Sequence, residues 1–91
     1  MPYELNAVVR GRVQGVGYRW TVMEKARGMG LGGWVRNEPD GSVRVLAQGE
    51  AEKLGIFLDF LHHGPRHASV ENVASNLREI DKCVIFGFNI G

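Results

Sequence analysis

The segment from Gly11 to Arg19 carries residue types that suit the binding of an anion. Its alternating first half predicts a strand, the pair Gly15 and Gly17 permits a tight loop, and helical spacing follows. Amides at the start of a helix lack an intrahelical partner, and the helix dipole places partial positive charge there. Arg19 adds a planar fork of donors that matches two phosphoryl oxygens. The segment could therefore bind a phosphate group, although many ordinary strand-to-helix connections also contain two glycines.

A second segment, Gly33 to Asn37, predicts a strand that ends beside a turn. Side chains alternate along a strand, so Trp34 and Arg36 share one face while Val35 and Asn37 share the other. The amide of Asn37 can accept a hydrogen bond from water but cannot act as a base. Spacing alone also allows Asn37 simply to begin the turn, as asparagine often does.

Together the two segments resemble the signatures of the acylphosphatase family. The first has the pattern Gly-x-Val-Gln-Gly-Val-x-aromatic-Arg from Gly11 to Arg19, and the second has Gly-aromatic/apolar-Val-basic-Asn from Gly33 to Asn37. Both match at every defining position. The resemblance also includes the Asp-Gly turn, Gly64-Pro65 and the closing Phe88-Asn89-Ile90, so it covers nearly the whole chain.

The resemblance implies a metal-independent acylphosphatase, which hydrolyses an acyl phosphate to a carboxylate and inorganic phosphate. In that family the loop and its arginine bind the phosphoryl group, and the strand asparagine positions the attacking water. Carried over, this makes Arg19 and Asn37 the expected catalytic residues. The expected phosphate-binding residues are Gln14, Gly15, Val16, Gly17, Tyr18 and Arg19. No cofactor or metal is expected, because neither motif holds a cluster of carboxylates or histidines.

The elements that must position these residues follow from hydrophobic spacing and turn signals. Helices are predicted over Tyr18–Met29 and Glu50–His63. Strands are predicted over Tyr3–Val13, Gly33–Asn37, Ser42–Gln48, Ala68–Leu77 and Cys83–Ile90. The order β-α-β-β-α-β with a short final strand predicts an α+β fold, the ferredoxin-like split βαβ sandwich. We expect a mostly antiparallel sheet with both helices on one face.

Several packing roles follow from the same pattern. The final strand is expected to turn four alternating side chains toward the core, those of Val84, Phe86, Phe88 and Ile90. Cys83 begins that apolar run and is interpreted as a buried structural thiol. Trp20 and Trp34 are interpreted as packing residues, because no row of exposed aromatics accompanies them.

Composition limits the remaining possibilities. A chain of 91 residues with 44% hydrophobic and 23% charged residues predicts one globular domain over residues 1–91. The net charge of +1 gives no general case for nucleic-acid binding. Residues 1–45 hold seven Lys/Arg against four Asp/Glu, and residues 46–91 hold four against six, so an anion site is expected in the first half.

The cysteine and histidine content and the apolar segments exclude several kinds of site and location. One cysteine permits no intrachain disulfide or two-thiol site, and the three histidines, His62, His63 and His67, match no zinc spacing and are assigned to the surface. The N-terminus has neither the basic start nor the apolar stretch of a secretory signal, and no segment reaches the roughly 20 apolar residues of a membrane span. We therefore expect a cytoplasmic monomer that acts on a small-molecule acyl phosphate and binds neither membrane nor nucleic acid.

Other functions found on the same fold fit these residues less well. RNA-binding domains of this topology carry stacking aromatics on their central strands, whereas Ser42 to Gln48 contains none. A copper carrier would need two cysteines in the loop after the first strand. An anion-binding module without catalytic activity is disfavoured, because both expected catalytic residues are present.

Overall fold

The computed structural model describes every residue from Met1 to Gly91. Five strands and two helices occur in the predicted order. They are β1 (Pro2–Arg12), α1 (Tyr18–Gly28), β2 (Gly32–Asn37), β3 (Val43–Glu50), α2 (Ala51–His63), β4 (Ser69–Glu79) and β5 (Phe88–Ile90). Each helix differs from its predicted range by one residue at one end.

The strands form one sheet in the order β4-β1-β3-β2-β5. Neighbouring strands are antiparallel, except that β5 lies parallel to β2. The mostly antiparallel α+β sandwich predicted from the sequence is therefore confirmed. One consequence for the site is that the start of α1, the end of β2 and the end of β5 lie near one another.

A single cluster of 17 buried residues forms the hydrophobic core. The strands contribute alternating side chains, such as Leu5, Ala7 and Val9 of β1, and both helices cover the face that these side chains form. α1 packs against β2 and β5, while α2 packs against β1, β3 and β4. The rings of Phe57 and Phe88 meet edge to face at 5.9 Å between centroids, which ties α2 to the last strand.

Gly55 lies in the interior of α2 at an exposed position where an added Cβ would meet no atom within 4 Å. Alanine there is expected to raise the free energy of unfolding by about 1 kcal/mol, because glycine is the weaker helix former. For a domain of this size the melting temperature should rise by about 4–8 °C.

Gly32→Ala is the matched control for this change. A Cβ at Gly32 would clash with the backbone oxygen of Ile85, so this variant should melt at a lower temperature than the parent. Thermal unfolding of both variants checks the expectation. A Gly55→Ala protein that melts no higher than the parent would contradict the helix-propensity argument.

The predicted final strand is wrong in its extent. Only Phe88–Ile90 forms a strand, and of the four residues assigned to the core only Phe88 is buried. Val84, Phe86 and Ile90 are 62%, 85% and 40% exposed. Gly87, with φ of 83°, interrupts the extended backbone before β5 and so ends the alternation that the sequence pattern suggested.

A polar network holds the segment before β5 against the sheet. Oε1 of Gln48 accepts hydrogen bonds from the backbone amides of Val84 and Ile85 at 2.9 and 3.1 Å. Nε2 of Gln48 donates to buried Glu4, which also accepts from Arg78 at 2.7 Å. The bonds from Gln48 and Arg78 hold the pKa of Glu4 below its usual value, although burial opposes them. The two amides thus bond to a side chain and not to a neighbouring strand.

The structure buries Cys83, Trp20 and Trp34 to different extents. Cys83 is half-buried and not fully buried, because it lies in the same irregular segment. Trp20 is 58% exposed, so its interpretation as a packing residue is wrong. Trp34 is half-buried beneath the guanidinium of Arg36, 4.5 Å from the ring centroid. The histidines are exposed as predicted, and neither helix has the length and apolar character needed to cross a membrane.

Candidate active site

The loop of residues 13–17, here called the cradle loop, joins β1 to α1. Gly15 and Gly17 have φ of 75° and 80°, a left-handed conformation that costs other residues about 1–3 kcal/mol. Helix α1 then begins at Tyr18 with no side-chain cap and no acidic residue in its first turn. The N–H groups of that turn are therefore available to an anion.

Gln14 fastens the cradle loop to the turn between β2 and β3. Its Nε2 donates to the backbone oxygens of Glu38 and Ser42, each at 2.9 Å. Glu38 directly follows Asn37 in the chain, so one amide group sets the loop against the end of β2. The side chain of Gln14 is thus already engaged in holding the loop.

Arg19, the second residue of α1, is half-buried. Its Nη1 donates to the backbone oxygen of Gly91, and the N–H of Gly91 donates to the oxygen of Val35 at 2.7 Å. The last residue of the chain therefore connects the guanidinium to β2. The other donors of the guanidinium fork make no hydrogen bond within the protein and can reach a ligand.

Asn37 is the last residue of β2, where it pairs with Val43 of β3. Its Oδ1 is buried and has no hydrogen-bond partner, and no other buried side-chain nitrogen or oxygen in the structure shares that condition. Leaving a buried acceptor unpaired costs about 1–3 kcal/mol. Such an atom is accounted for if a ligand or a water supplies the missing donor.

The turn after Asn37 is held by Asp40. Oδ1 of Asp40 accepts from the N–H and the hydroxyl of Ser42 at 3.0 and 2.6 Å, and Oδ2 accepts from Arg10 at 3.0 Å. These bonds, those from Ser42 foremost, hold the pKa of Asp40 far below its usual value. We therefore expect Asp40 to be ionised near neutral pH and to keep its hydrogen bonds to Ser42 and Arg10 there.

One pocket of about 140 Å³ joins these pieces. Its lining consists of Val13, Gly15, Gly17, Tyr18, Arg19, Trp20, Asn37 and Ile90. The structure thus brings Arg19 and Asn37 together with both loop glycines and the first residue of α1. Gln14 and Val16, which the family resemblance assigned to phosphate binding, do not line the pocket. The side chain of Val16 packs against the core, and the phosphate-binding roles expected for Gln14 and Val16 stay predictions.

Tyr18 contributes to the pocket without offering an acid or a base. Its side chain is buried, and its hydroxyl donates to the backbone oxygen of Leu61 at 2.7 Å. Burial raises the pKa of Tyr18 well above its usual value, so the phenol stays neutral. Arg19 is the one charged side chain of the lining, and no three His, Cys, Asp or Glu residues of the chain lie close enough to hold a metal ion.

The chain is similar to known proteins over most of its length. Residues 5–90 match the family model described as Acylphosphatase. The chain belongs to the acylphosphatase family. An acylphosphatase of Thermus thermophilus is 54% identical over 69 residues, which cover 76% of this chain and 78% of that protein. An acylphosphatase of Nitrosococcus oceani is 44% identical over 82 residues, covering 90% and 92% of the two chains.

A solved structure gives the same result for the fold. The acylphosphatase from Bacillus subtilis superposes with a TM-score of 0.90 at 32% identity, covering 98% of each chain. The family resemblance deduced from the two motifs is therefore confirmed, and this chain is an enzyme with acylphosphatase activity. The comparisons establish the activity and the fold. The roles of single residues are inferred from the geometry of the pocket.

Sequence reasoning missed three lining residues of this acylphosphatase pocket, namely Val13, Trp20 and Ile90. A signal for Trp20 existed, because it lies about 200° around the helix from buried Tyr18 and so cannot share the core-facing stripe. No comparable signal existed for Ile90. Its place in the pocket depends on the parallel pairing of β5 with β2, where Ile90 lies opposite Val35.

Proposed function

We propose that this acylphosphatase works by in-line attack of water on phosphorus, with Arg19 binding the phosphoryl group and Asn37 holding the water. The observation that carries this proposal is the buried, unpartnered Oδ1 of Asn37 in the same pocket as Arg19. A water that donates one hydrogen bond to Oδ1 is positioned while its lone pair stays free for attack. Asn37 then acts by orientation, because an amide does not take up the proton.

The phosphoryl group is bound by charge and by directed donors. The cradle loop and the open first turn of α1 present N–H groups, and Arg19 supplies the donors that Gly91 leaves free. Charge spreads over the equatorial oxygens in the transition state of phosphoryl transfer, and donors fixed in advance stabilise it. In this proposal Gln14 is a positioning residue, which keeps the loop and Asn37 at a constant separation.

The proposed reaction is balanced without an added acid, base or metal. The water oxygen forms a bond to phosphorus, the bond from phosphorus to the carboxyl oxygen breaks, and the carboxylate leaves with its electron pair. Both protons of the water end on the inorganic phosphate. A carboxylate is weakly basic and needs no proton to depart, which suits a lining that contains no His, Cys, Asp or Glu side chain. The monomeric state and the cytoplasmic location stay predictions.

Release of inorganic phosphate from benzoyl phosphate, with an alkyl phosphate monoester as the control substrate, tests the proposed mechanism. We expect release from benzoyl phosphate far above spontaneous hydrolysis and none from the monoester, because an alkoxide needs an acid that this pocket lacks. Prolonged treatment with EDTA should leave the rate unchanged. Activity that disappears on chelation and returns with magnesium or zinc would refute the metal-independent mechanism. Equal hydrolysis of the monoester would show that an acid acts in the site.

A further inference from the structure

The mouth of the pocket carries two exposed apolar side chains that phosphate binding does not use. Trp20 is 58% exposed and Ile90 is 40% exposed, and both belong to the pocket lining. They come from different elements, the first turn of α1 and the end of β5. An exposed apolar surface next to a polar site often marks where a ligand packs.

The pocket is too small to enclose a whole small-molecule substrate. Its volume of about 140 Å³ lies below the range of about 300–1,000 Å³ that is usual for sites enclosing a whole small molecule. A whole acyl phosphate whose phosphoryl group is held by Arg19 and the loop amides would therefore extend beyond the pocket, along the exposed side chains of its lining.

The ring of Trp20 is exposed and makes no aromatic contact within the protein. The aromatic contacts within the protein involve Phe57 with Phe88, Lys25 over Phe60 and Arg36 over Trp34, and none of them includes Trp20. Its position off the core-facing stripe of α1 explains why the fold does not cover it. A flat apolar group that packs on this ring would shield both surfaces from water.

The charges of the pocket lining further limit which acyl groups it can bind. Arg19 is the only charged residue of the eight, and the proposed mechanism commits it to the phosphoryl group. No second cation is present in the lining to bind an acyl group that carries its own carboxylate or phosphate. The lining therefore favours a neutral apolar acyl group over a charged one.

We propose that Trp20 and Ile90 form the acyl-binding surface of this enzyme, and that its preferred substrates are phosphates of aromatic or extended apolar carboxylic acids. This inference rests on the proposed function, because it takes the phosphoryl group to lie against Arg19. It makes Trp20 and Ile90 specificity residues whose side chains contact the leaving group. They take no part in the displacement at phosphorus.

The test measures kcat/KM for benzoyl phosphate and for acetyl phosphate in the parent and in Trp20→Ala, and takes the ratio of the two values. The two carboxylates differ in intrinsic leaving ability, but that difference cancels when ratios are compared between variants. We expect the ratio to fall about tenfold in Trp20→Ala, as a change in KM, because an apolar contact of this size discriminates by about that factor. Trp20→Phe should keep most of the ratio, and Ile90→Ala should lower it less.

Phe86→Ala is the matched control, because Phe86 is 85% exposed and lies outside the pocket lining. Its ratio should equal that of the parent. An unchanged ratio in Trp20→Ala, with both substrates still hydrolysed, would overturn the acyl-binding surface and leave the proposed mechanism standing. Failure of the parent to release phosphate from either substrate would instead contradict the proposed function.

Discussion

Replacement of Arg19 by lysine is expected to lower kcat/KM by about 100-fold or more, although the positive charge is kept. Nη1 of Arg19 donates to Gly91, and the other donors of its planar fork make no hydrogen bond within the protein, which leaves them free for a ligand. An ammonium group is a point charge on a flexible stem and cannot make both contacts in the fixed geometry that two phosphoryl oxygens require. Initial rates of phosphate release from benzoyl phosphate measure the effect.

Arg44→Lys provides the matched control for this change. Arg44 is an exposed residue of β3 outside the active-site lining, with no hydrogen bond or ion pair to the protein. It should retain the activity of the parent, and both variants should melt within a few degrees of it. Near-parental activity of Arg19→Lys would show that bidentate binding by Arg19 is not needed for phosphoryl transfer.

Replacement of Asn37 by alanine is expected to lower kcat by about 100-fold while KM changes little. The amide orients the water in the transition state and adds hardly anything to the binding of the substrate. The same variant should be no less stable than the parent, since Oδ1 has no hydrogen bond to lose and its removal abolishes the cost of a buried unpaired acceptor. A steep loss of activity without a loss of stability separates a catalytic role from a structural one.

Asn72→Ala, a change at an exposed position of β4, controls for the loss of an amide elsewhere on the sheet. A raised KM with intact kcat in Asn37→Ala would reassign the residue to substrate binding.

The dependence of kcat on pH gives a second control for the proposed mechanism. Since neither arginine nor asparagine titrates there, kcat of the parent should vary little from mildly acidic to neutral pH. Control by one group near neutrality would indicate a base that the proposed mechanism lacks.

The parts of the fold that the sequence predicts well depend on local, repeated signals. The helical spacing of Leu54, Phe57 and Leu61 places α2 to within one residue, and the alternation along β1 identifies its buried face. The two motifs single out Arg19 and Asn37, which the structure brings to one pocket. Those signals need no knowledge of how distant segments meet.

The sequence does not predict those features of the fold and site that depend on contacts between residues far apart in the chain. The residues before β5 alternate as a strand would. The amides of Val84 and Ile85 nevertheless donate to the side chain of Gln48, and the spacing of residues within that segment does not indicate such a partner. The side chain of Gln14 bonds to backbone oxygens 24 and 28 residues away, a contact that the motif itself does not indicate, and a part for Gln14 in phosphate binding stays a prediction. The position of Ile90 at the pocket likewise depends on pairing across the sheet.

The contact between Arg19 and Gly91 spans 72 positions of the chain, and it has a consequence for folding kinetics. Contacts between distant positions require the closure of long loops, whose entropy must be lost before the contact forms. The pocket is finished only when β5 lies beside β2 and brings Ile90 and Gly91 to the start of α1. During refolding, the return of enzymatic activity therefore reports the docking of the last strand. Phe88 of β5 packs edge to face on Phe57, so we expect that contact to form in the same step.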